Sequence, residues 1–548
     1  MFSLFKQIGV MLLICMPLMA QAAEPQPYKE DQASSAVATS ELYELSQQLI
    51  DAGYREKQAL VETLVEINDP QTLKFLQVMV NGDLYYRKDD RVIVINEDDA
   101  ITIFFTGESI TLENKRDIKK ISVNNKLRTL LRGGIARLQI FSNNLELRKQ
   151  AATNLLKSAD DLDEATLQLA VEKEKNADVQ EILSLVQGIR WLEADDEKQR
   201  LAGVELLSGS LYPDVRGALA NYVRAAEADE RSTEVAAAKK ALDKIEAMLT
   251  ANAVVENLYF GLALGAVLLL AAIGLAITFG VMGVINMAHG EMIMLGAYTT
   301  YMVQQLMPEH MGVSLVVSIP AAFLISGLVG IAIERGVIRH LYGRPLETLL
   351  ATFGISLILQ QAVRSIFGPL NRDVGTPDWM AGTFMINPAL ELTYNRLYII
   401  IFSLLVLAVL ALILKRTLFG LQMRAVTMNR PMASSMGIRT GWVDALTFGL
   451  GSGIAGIAGV ALSQLTNVGP NMGQAYIIDS FMVVVFGGVG NLWGTLVGAM
   501  SLGVMNKLLE PWAGAVVAKI LMLVFIILFI QKRPRGLFAL KGRAADMG

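Results

Sequence analysis

The apolar positions change their spacing three times along the chain. From Glu41 to Gln77 they recur at helical intervals, at Leu45, Leu49, Leu60, Leu64 and Ile67, which predicts helices with one buried face. Residues 78–112 lose that period. The stretches around Tyr85, from Arg91 to Asn96 and from Ala100 to Phe105 are β-branched and aromatic, with turn residues between them, and predict a β insert of two to four strands. Helical spacing returns from Asn124 to Leu249. Stretches beginning at Arg148, Arg200 and Asp214 each run from a charged residue through small residues to a large apolar one. Paired helices of the HEAT type, with repeats of about 40–47 residues, fit this pattern, and an ordinary helical bundle fits it nearly as well.

Beyond residue 257 the pattern becomes almost continuously apolar. Segments at 258–280, 283–306, 313–334, 348–367, 396–414, 441–465, 476–490, 493–510 and 514–531 are separated by short polar or basic loops. A bilayer-spanning helix takes about 20 apolar residues, so nine membrane segments are expected. The seventh and eighth are short and glycine-rich, and are expected to be tilted or broken. The predicted fold class is mainly α: a polytopic α-helical membrane domain at 251–548 preceded by a mostly helical domain at 24–250.

Charge sharpens the division. Residues 24–250 hold 40 Asp/Glu against 29 Lys/Arg, whereas residues 251–548 hold 12 against 18. An acidic soluble half therefore precedes a basic membrane half. Lys6, the apolar run from Ile8 to Leu18 and the small-residue site Ala20-Gln21-Ala22 predict a cleaved signal peptide at 1–23. The only cysteine of the chain, Cys15, lies in that leader, so disulfide, thiolate and cysteine-metal chemistry are excluded from the mature chain. Basic clusters at Arg335 to Arg344, Lys415 to Arg439 and Lys532 to Arg543 are expected on the cytoplasmic side. Nine crossings from an exported N-terminus place all three there. The N-terminal domain is then periplasmic, the C-terminus is cytoplasmic and the protein is multi-pass in the inner membrane. The loop 367–396, with its Gly-Pro and Asn-Pro turns and Trp379, becomes a periplasmic docking rim.

Candidate chemistry concentrates where polar residues interrupt apolar sequence. Asn286, His289 and Glu291 fall between the first two segments, beside Gly283 and Gly290, either of which lets the backbone leave a helix. Ionisable groups at that depth are expensive and face protein or a wet path, so these three are candidate path residues on a broken helix. Gln360 and Gln361 are the next candidates, inside the fourth segment. Glu334, Asp444, Asp479, Lys507 and Lys519 lie nearer segment ends, where snorkelling to the interface accounts for them. The only histidines are His289, His310 and His340, in no metal-binding spacing, and His289 is read as holding the backbone rather than doing chemistry. The residues contain no phosphate-binding G-x-x-x-x-G-K-[ST] loop and suggest neither a catalytic set, a cofactor nor a nucleic-acid partner. The glycine pairs from Gly449 to Gly459 and from Gly487 to Gly494 read as close helix packing. In the basic loop, Pro431 to Met436 predicts a short amphipathic helix stopped by Gly437.

The run Gly283-Val284-Ile285-Asn286-Met287-Ala288-His289-Gly290-Glu291 resembles the N-[FML]-A-H-G-E signature of branched-chain amino acid ABC transporter permeases. The loop with Arg424, Ala425, Ala433, Gly437 and Ile438 is similar to that family's ATPase-coupling helix, and Gly487 to Gly498 matches its late glycine-rich segment. The resemblance covers about 258–540. It implies an importer subunit that is not itself an enzyme, working with a second homologous permease subunit, two ATP-binding subunits and a periplasmic solute-binding protein. Arg424, Ala433, Gly437 and Ile438 would couple to the ATPase. Pro431-Met432-Ala433 stands where the usual ABC loop has an acidic residue and two alanines. An exported domain joined to the permease looks most like the urea transporter subunit, which implies urea or short amides as substrate. Branched-chain amino acids are the alternative substrate. A membrane sensor and a passive solute channel are the rival classes.

Overall fold

The computed structural model describes residues 41–67, 71–97, 100–110 and 117–538. The expected signal peptide lies outside the described residues. Two compact units emerge, one of residues 41–207 and 217–238, the other of residues 208–216 and 239–538.

The N-terminal unit begins with α1 (Glu41–Asp51), α2 (Tyr54–Glu66) and α3 (Thr72–Asn81). These helices bury the apolar face read from the sequence, with Leu42, Leu49, Val61, Leu64, Phe75 and Leu76 in one core. The β insert is larger than the expected 78–112. Strands β1 (Leu84–Arg87), β2 (Ile93–Glu97), β3 (Ala100–Ile103), β4 (Ser109–Ile110) and β5 (Ile118–Lys120) form an antiparallel sheet in the order β4-β3-β2-β1-β5. The fifth strand is only three residues, two of them exposed lysines, so it carries almost no strand signal.

Helices α4 (Asn125–Ile140), α5 (Leu145–Leu155), α6 (Glu164–Lys173), α7 (Ala177–Trp191), α8 (Glu197–Leu207) and α9 (Pro213–Ala228) follow. Side-chain caps fix several starts: Asn124, Asn144, Asp163 and Asn176 each accept a backbone N–H of the first turn. The loose sequence repeat has a physical counterpart. Arg148, four residues into α5, donates to the carbonyls of Ser142 and Asn143 and pairs with Glu174 at 2.8 Å. Arg200, four residues into α8, donates to the carbonyls of Ala194 and Asp195 and pairs with Glu234 at 2.6 Å. The same side chain thus ties the same helix start to a later glutamate in both places.

Helix α10 (Ser232–Met282) is one 51-residue helix, assigned to the first unit up to residue 238 and to the second from residue 239, and the compositional boundary at residue 250 falls inside it without a break. Then come α11 (His289–Leu306), α12 (Met311–Gly336), a 3-10 turn at Ile338–His340 and α13 (Pro345–Phe367). A hairpin of β6 (Thr383–Asn387) and β7 (Leu390–Thr393) occupies the 367–396 loop. Helices α14 (Tyr394–Arg416), α15 (Leu418–Met428), α16 (Arg430–Ser435), α17 (Thr440–Ser463), α18 (Met472–Gly487) and α19 (Leu492–Lys532) complete the second unit. Each of the nine expected apolar segments is helical over most of its length, the second only from His289 and the seventh only to Gly487. Six helices are long and apolar enough to cross a membrane, and α19 holds the last two expected segments on either side of a kink at Gly514. The apolar parts of α10 and α17 are mostly buried, whereas α13, α14 and α19 leave most of theirs uncovered, as lipid- or partner-facing helices do.

Glycine packing holds the centre together. A Cβ on Gly296 of α11 would overlap the Gly456 carbonyl of α17, and one on Gly459 would overlap the Ile293 carbonyl of α11. Backbones this close gain dispersion contacts that larger residues would prevent. The Gly487–Gly494 approach joins α18 to α19 in the same way.

Candidate functional site

The break between α10 and α11 is built from few residues. Gly283 takes φ +65°, a conformation costly for residues with a Cβ, and its N–H closes the last turn of α10 on Phe279 O at 2.9 Å. Six residues later, at His289, the helix restarts. Asn286 organises that restart: its Oδ1 accepts Ala288 N–H at 3.0 Å and its carbonyl accepts His289 N–H at 3.3 Å. Gly290, expected as a second point of departure, is instead in the first turn of α11. There it permits contact with Gly473 of α18, whose carbonyl a Cβ would overlap.

His289 and Glu291 point to different partners. His289 is fully buried, with Nε2 2.9 Å from the carbonyl of Ala271 on α10, a contact in which the ring nitrogen donates. It therefore pins the restarted helix to the one before it, and its Nδ1 has no hydrogen-bond partner. Glu291 faces α13. Its Oε1 accepts from Ser356 Oγ at 2.9 Å and from Gln360 Nε2 at 2.7 Å, while Oε2 is buried without a hydrogen-bond partner.

Helix α13 presents a polar ladder to this break. Thr348, Thr352, Ser356 and Gln360 recur every four residues and are all buried. Thr352 Oγ1 accepts Met287 N–H at 3.1 Å, so it satisfies an amide freed by the break. Gln361, named with Gln360 from the sequence, lies on the adjacent exposed face and does not join the cluster. Thr348, Thr352 and Ser356 were missed because single hydroxyls are tolerated in membrane helices. Their four-residue spacing in register with Gln360 was the available signal.

The basic loop forms two short helices at one end of the bundle. Asn429 caps α16 by accepting Met432 N–H at 3.0 Å, and Pro431 sits in its first turn. Gly437 ends the element at φ +85°, and Ile438 N–H returns to Ala433 O at 3.1 Å. The helix therefore covers Arg430–Ser435, one residue earlier than expected. Ala433 is buried and Ile438 packs on the bundle core, whereas Arg424 and Gly437 are exposed. Met428 at the end of α15, Met432 in α16 and Met436 just beyond it are 82%, 61% and 77% exposed, three apolar side chains that the sequence reading passed over. Exposed methionines suit an adaptable protein contact.

The snorkelling expected of Glu334 and Asp444 is corrected. Both carboxylates are buried, and Asp444 pairs with Arg430 of α16. Asp479 of α18 likewise turns inward, to Lys519 of α19 at 3.2 Å. An inward partner stabilises a carboxylate more than a long reach to water when the side chain is as short as aspartate. Among the described residues no group of His, Cys, Asp and Glu could hold a metal ion.

Comparison with known proteins adds an independent line. The family described as the permease component of branched-chain amino acid transport systems matches residues 257–530. The high-affinity branched-chain amino acid permease LivH of Escherichia coli is 30% identical over 292 residues, 52% of this chain and 94% of LivH. BraD of Pseudomonas aeruginosa, a permease of the same description, is 28% identical over the same shares. The ribose import permease RbsC of Bacillus subtilis is 30% identical over 110 residues, 19% of this chain and 34% of RbsC. No solved structure matches.

Proposed function

Because this chain belongs to the permease family of branched-chain amino acid transport systems, we propose that it carries branched-chain amino acids across the inner membrane as one subunit of an ATP-driven importer. As a permease it is not an enzyme, and ATP hydrolysis resides on separate subunits. A solute-binding protein delivers the substrate, and a second homologous permease completes the path. Two ATP-binding subunits dock on the cytoplasmic loop, with Arg424, Ala433, Gly437 and Ile438 at or behind the contact. The acidic N-terminal unit lies in the periplasm.

The cluster of Glu291, Ser356 and Gln360 at the helix break carries the path assignment. A buried carboxylate is costly, and here one oxygen has two donors while the other is left open. The open oxygen suits a substrate N–H, such as the ammonium of an amino acid. Asn286 and His289 shape the break behind it. Urea and short amides, the solutes expected from the overall resemblance, find no support among these relatives, whose names specify branched-chain amino acids or ribose.

Purification and reconstitution of the complex test this. The chain should bring down ATP-binding subunits and a second permease, and leucine or valine with the binding protein should stimulate both ATP hydrolysis and uptake. Stimulation by urea alone would replace the substrate assignment. A chain that purifies without partners and passes solute without ATP is a channel, and the importer reading fails.

A further inference from the structure

Five charged or aromatic side chains gather around Arg430 at the end of the bundle that carries α16. Arg430 pairs with the buried carboxylate of Asp444, one turn into α17, and its guanidinium lies 4.5 Å from the ring centroid of Tyr342. Tyr342 sits in the connection between α12 and α13, and its hydroxyl donates to Glu334 Oε1 over 3.5 Å. Glu334 is buried near the end of α12. The neighbouring Arg335 approaches the Glu334 carboxylate at 3.7 Å and lies 4.5 Å over the ring of Trp442, in the first turn of α17. The network thus ties α12, the 337–344 connection, α16 and α17 to one another.

Its position matters more than its stability. Helix α16 has six residues and joins α17 through Met436, Gly437, Ile438 and Arg439, a turn whose glycine has positive φ. Such a turn acts as a hinge: a push on α16 would be absorbed there. The Arg430–Asp444 pair crosses the hinge and closes it into a braced triangle. Beyond the brace, α17 meets α11 backbone to backbone at Gly456 and Gly459, so it cannot shift without carrying α11. The first turn of α11 holds His289 and Glu291.

We propose that Arg430 and Asp444 are positioning residues that transmit ATPase-driven movement of α16 into α17, and through α17 to the Glu291 cluster. Tyr342 holds the guanidinium in line by stacking on it, a geometry lysine cannot reproduce. This inference rests on the importer reading.

The test uses the full complex in proteoliposomes, with ATP hydrolysis and leucine uptake measured on the same vesicles. R430Q, D444N and the double variant should each assemble with the ATPase and hydrolyse ATP, while uptake per ATP falls about tenfold, because a charge-assisted brace is lost in each. The double variant should be no worse than either single one, since one link is broken only once. R430K, which keeps the charge and loses the planar fork, should show the same loss in smaller degree and serves where R430Q does not assemble. Unchanged uptake per ATP in assembled variants overturns the link. So does a double variant whose loss is the product of the two single losses. A wild-type chain that recruits no ATPase overturns the importer reading itself, a separate result.

Discussion

At the scale of single residues, the neighbours Gln360 and Gln361 divide sharply. Gln360 donates to Glu291 in a buried cluster, and Gln361 lies on the exposed face. Gln360→Leu should remove a charge-assisted hydrogen bond contributing about 1.5–3 kcal/mol and lower uptake at least several-fold, whereas Gln361→Leu should leave uptake near wild type. Initial rates in reconstituted vesicles, normalised to inserted protein, distinguish the two. His289→Gln keeps a donor for the Ala271 carbonyl and should retain partial uptake. Complete loss with insertion and assembly intact would give His289 a chemical role. Identity was legible for Asn286, His289, Glu291 and Gln360, because polar residues stand out in apolar sequence. Their grouping was not. Whether Glu291 faces α13 or α10 depends on where the helix restarts after Gly283, and that phase is set by packing rather than by spacing.

At the scale of elements, the strongest constraint on α16 is its end. Gly437 at φ +85° would cost about 1–2 kcal/mol as any residue with a Cβ, more for a β-branched one. No neighbouring atom lies close to the position a Cβ would take, so the effect should be on hinge geometry rather than on packing. Gly437→Val should therefore insert normally and lower uptake per ATP hydrolysed. Wild-type coupling in that variant would remove the hinge from the mechanism. Proline and glycine made this short helix readable to within a residue, and the Asn429 cap emerged only in the structure. The brace across it was hidden, because Arg430 and Asp444 meet over fourteen positions and each alone reads as an interfacial charge. In the N-terminal unit the recurring arginine at the fourth helical position was visible as a faint repeat. Only the paired glutamates, at different distances along the chain, show why it recurs.

At the scale of the whole molecule, the acidic unit and the basic membrane unit obey different physics. Periodicity was enough for the helices of the second, since a bilayer demands long apolar helices whatever their contacts. The first had to be read from packing, and its fifth strand was lost for want of any pattern. Its response to acid is nonetheless defined. Burial pushes the Glu174 carboxyl up, but the Arg148 guanidinium and the backbone amides of Lys175 and Asn176 outweigh it and hold it below the usual range. A carboxyl lowered in the folded state stabilises above its unfolded value of about 4.3, and that stabilisation is lost as pH falls through the folded value. The unit should therefore become more susceptible to proteolysis as pH drops below about 4.3, and Arg148→Met should flatten that part of the profile. Limited digestion of the detergent-solubilised chain, followed across pH with an acid-tolerant protease, measures it. An unchanged profile in the variant would assign the acid response to other carboxylates.

The exposed surface around α15 and α16 also has a chemical liability. Met428, Met432 and Met436 present three thioethers to solvent on the surface assigned to ATPase docking. Peroxide converts a thioether to a sulfoxide, replacing a flexible apolar contact by a polar, chiral one, and methionine sulfoxide reductases reverse the change. Oxidised before assembly, the subunit should bind its ATPase more weakly, recover after reductase treatment, and resist the effect when all three methionines are leucine. The same softness that lets this face adapt to a moving partner would then make nutrient uptake an early casualty of oxidative stress, and a recoverable one.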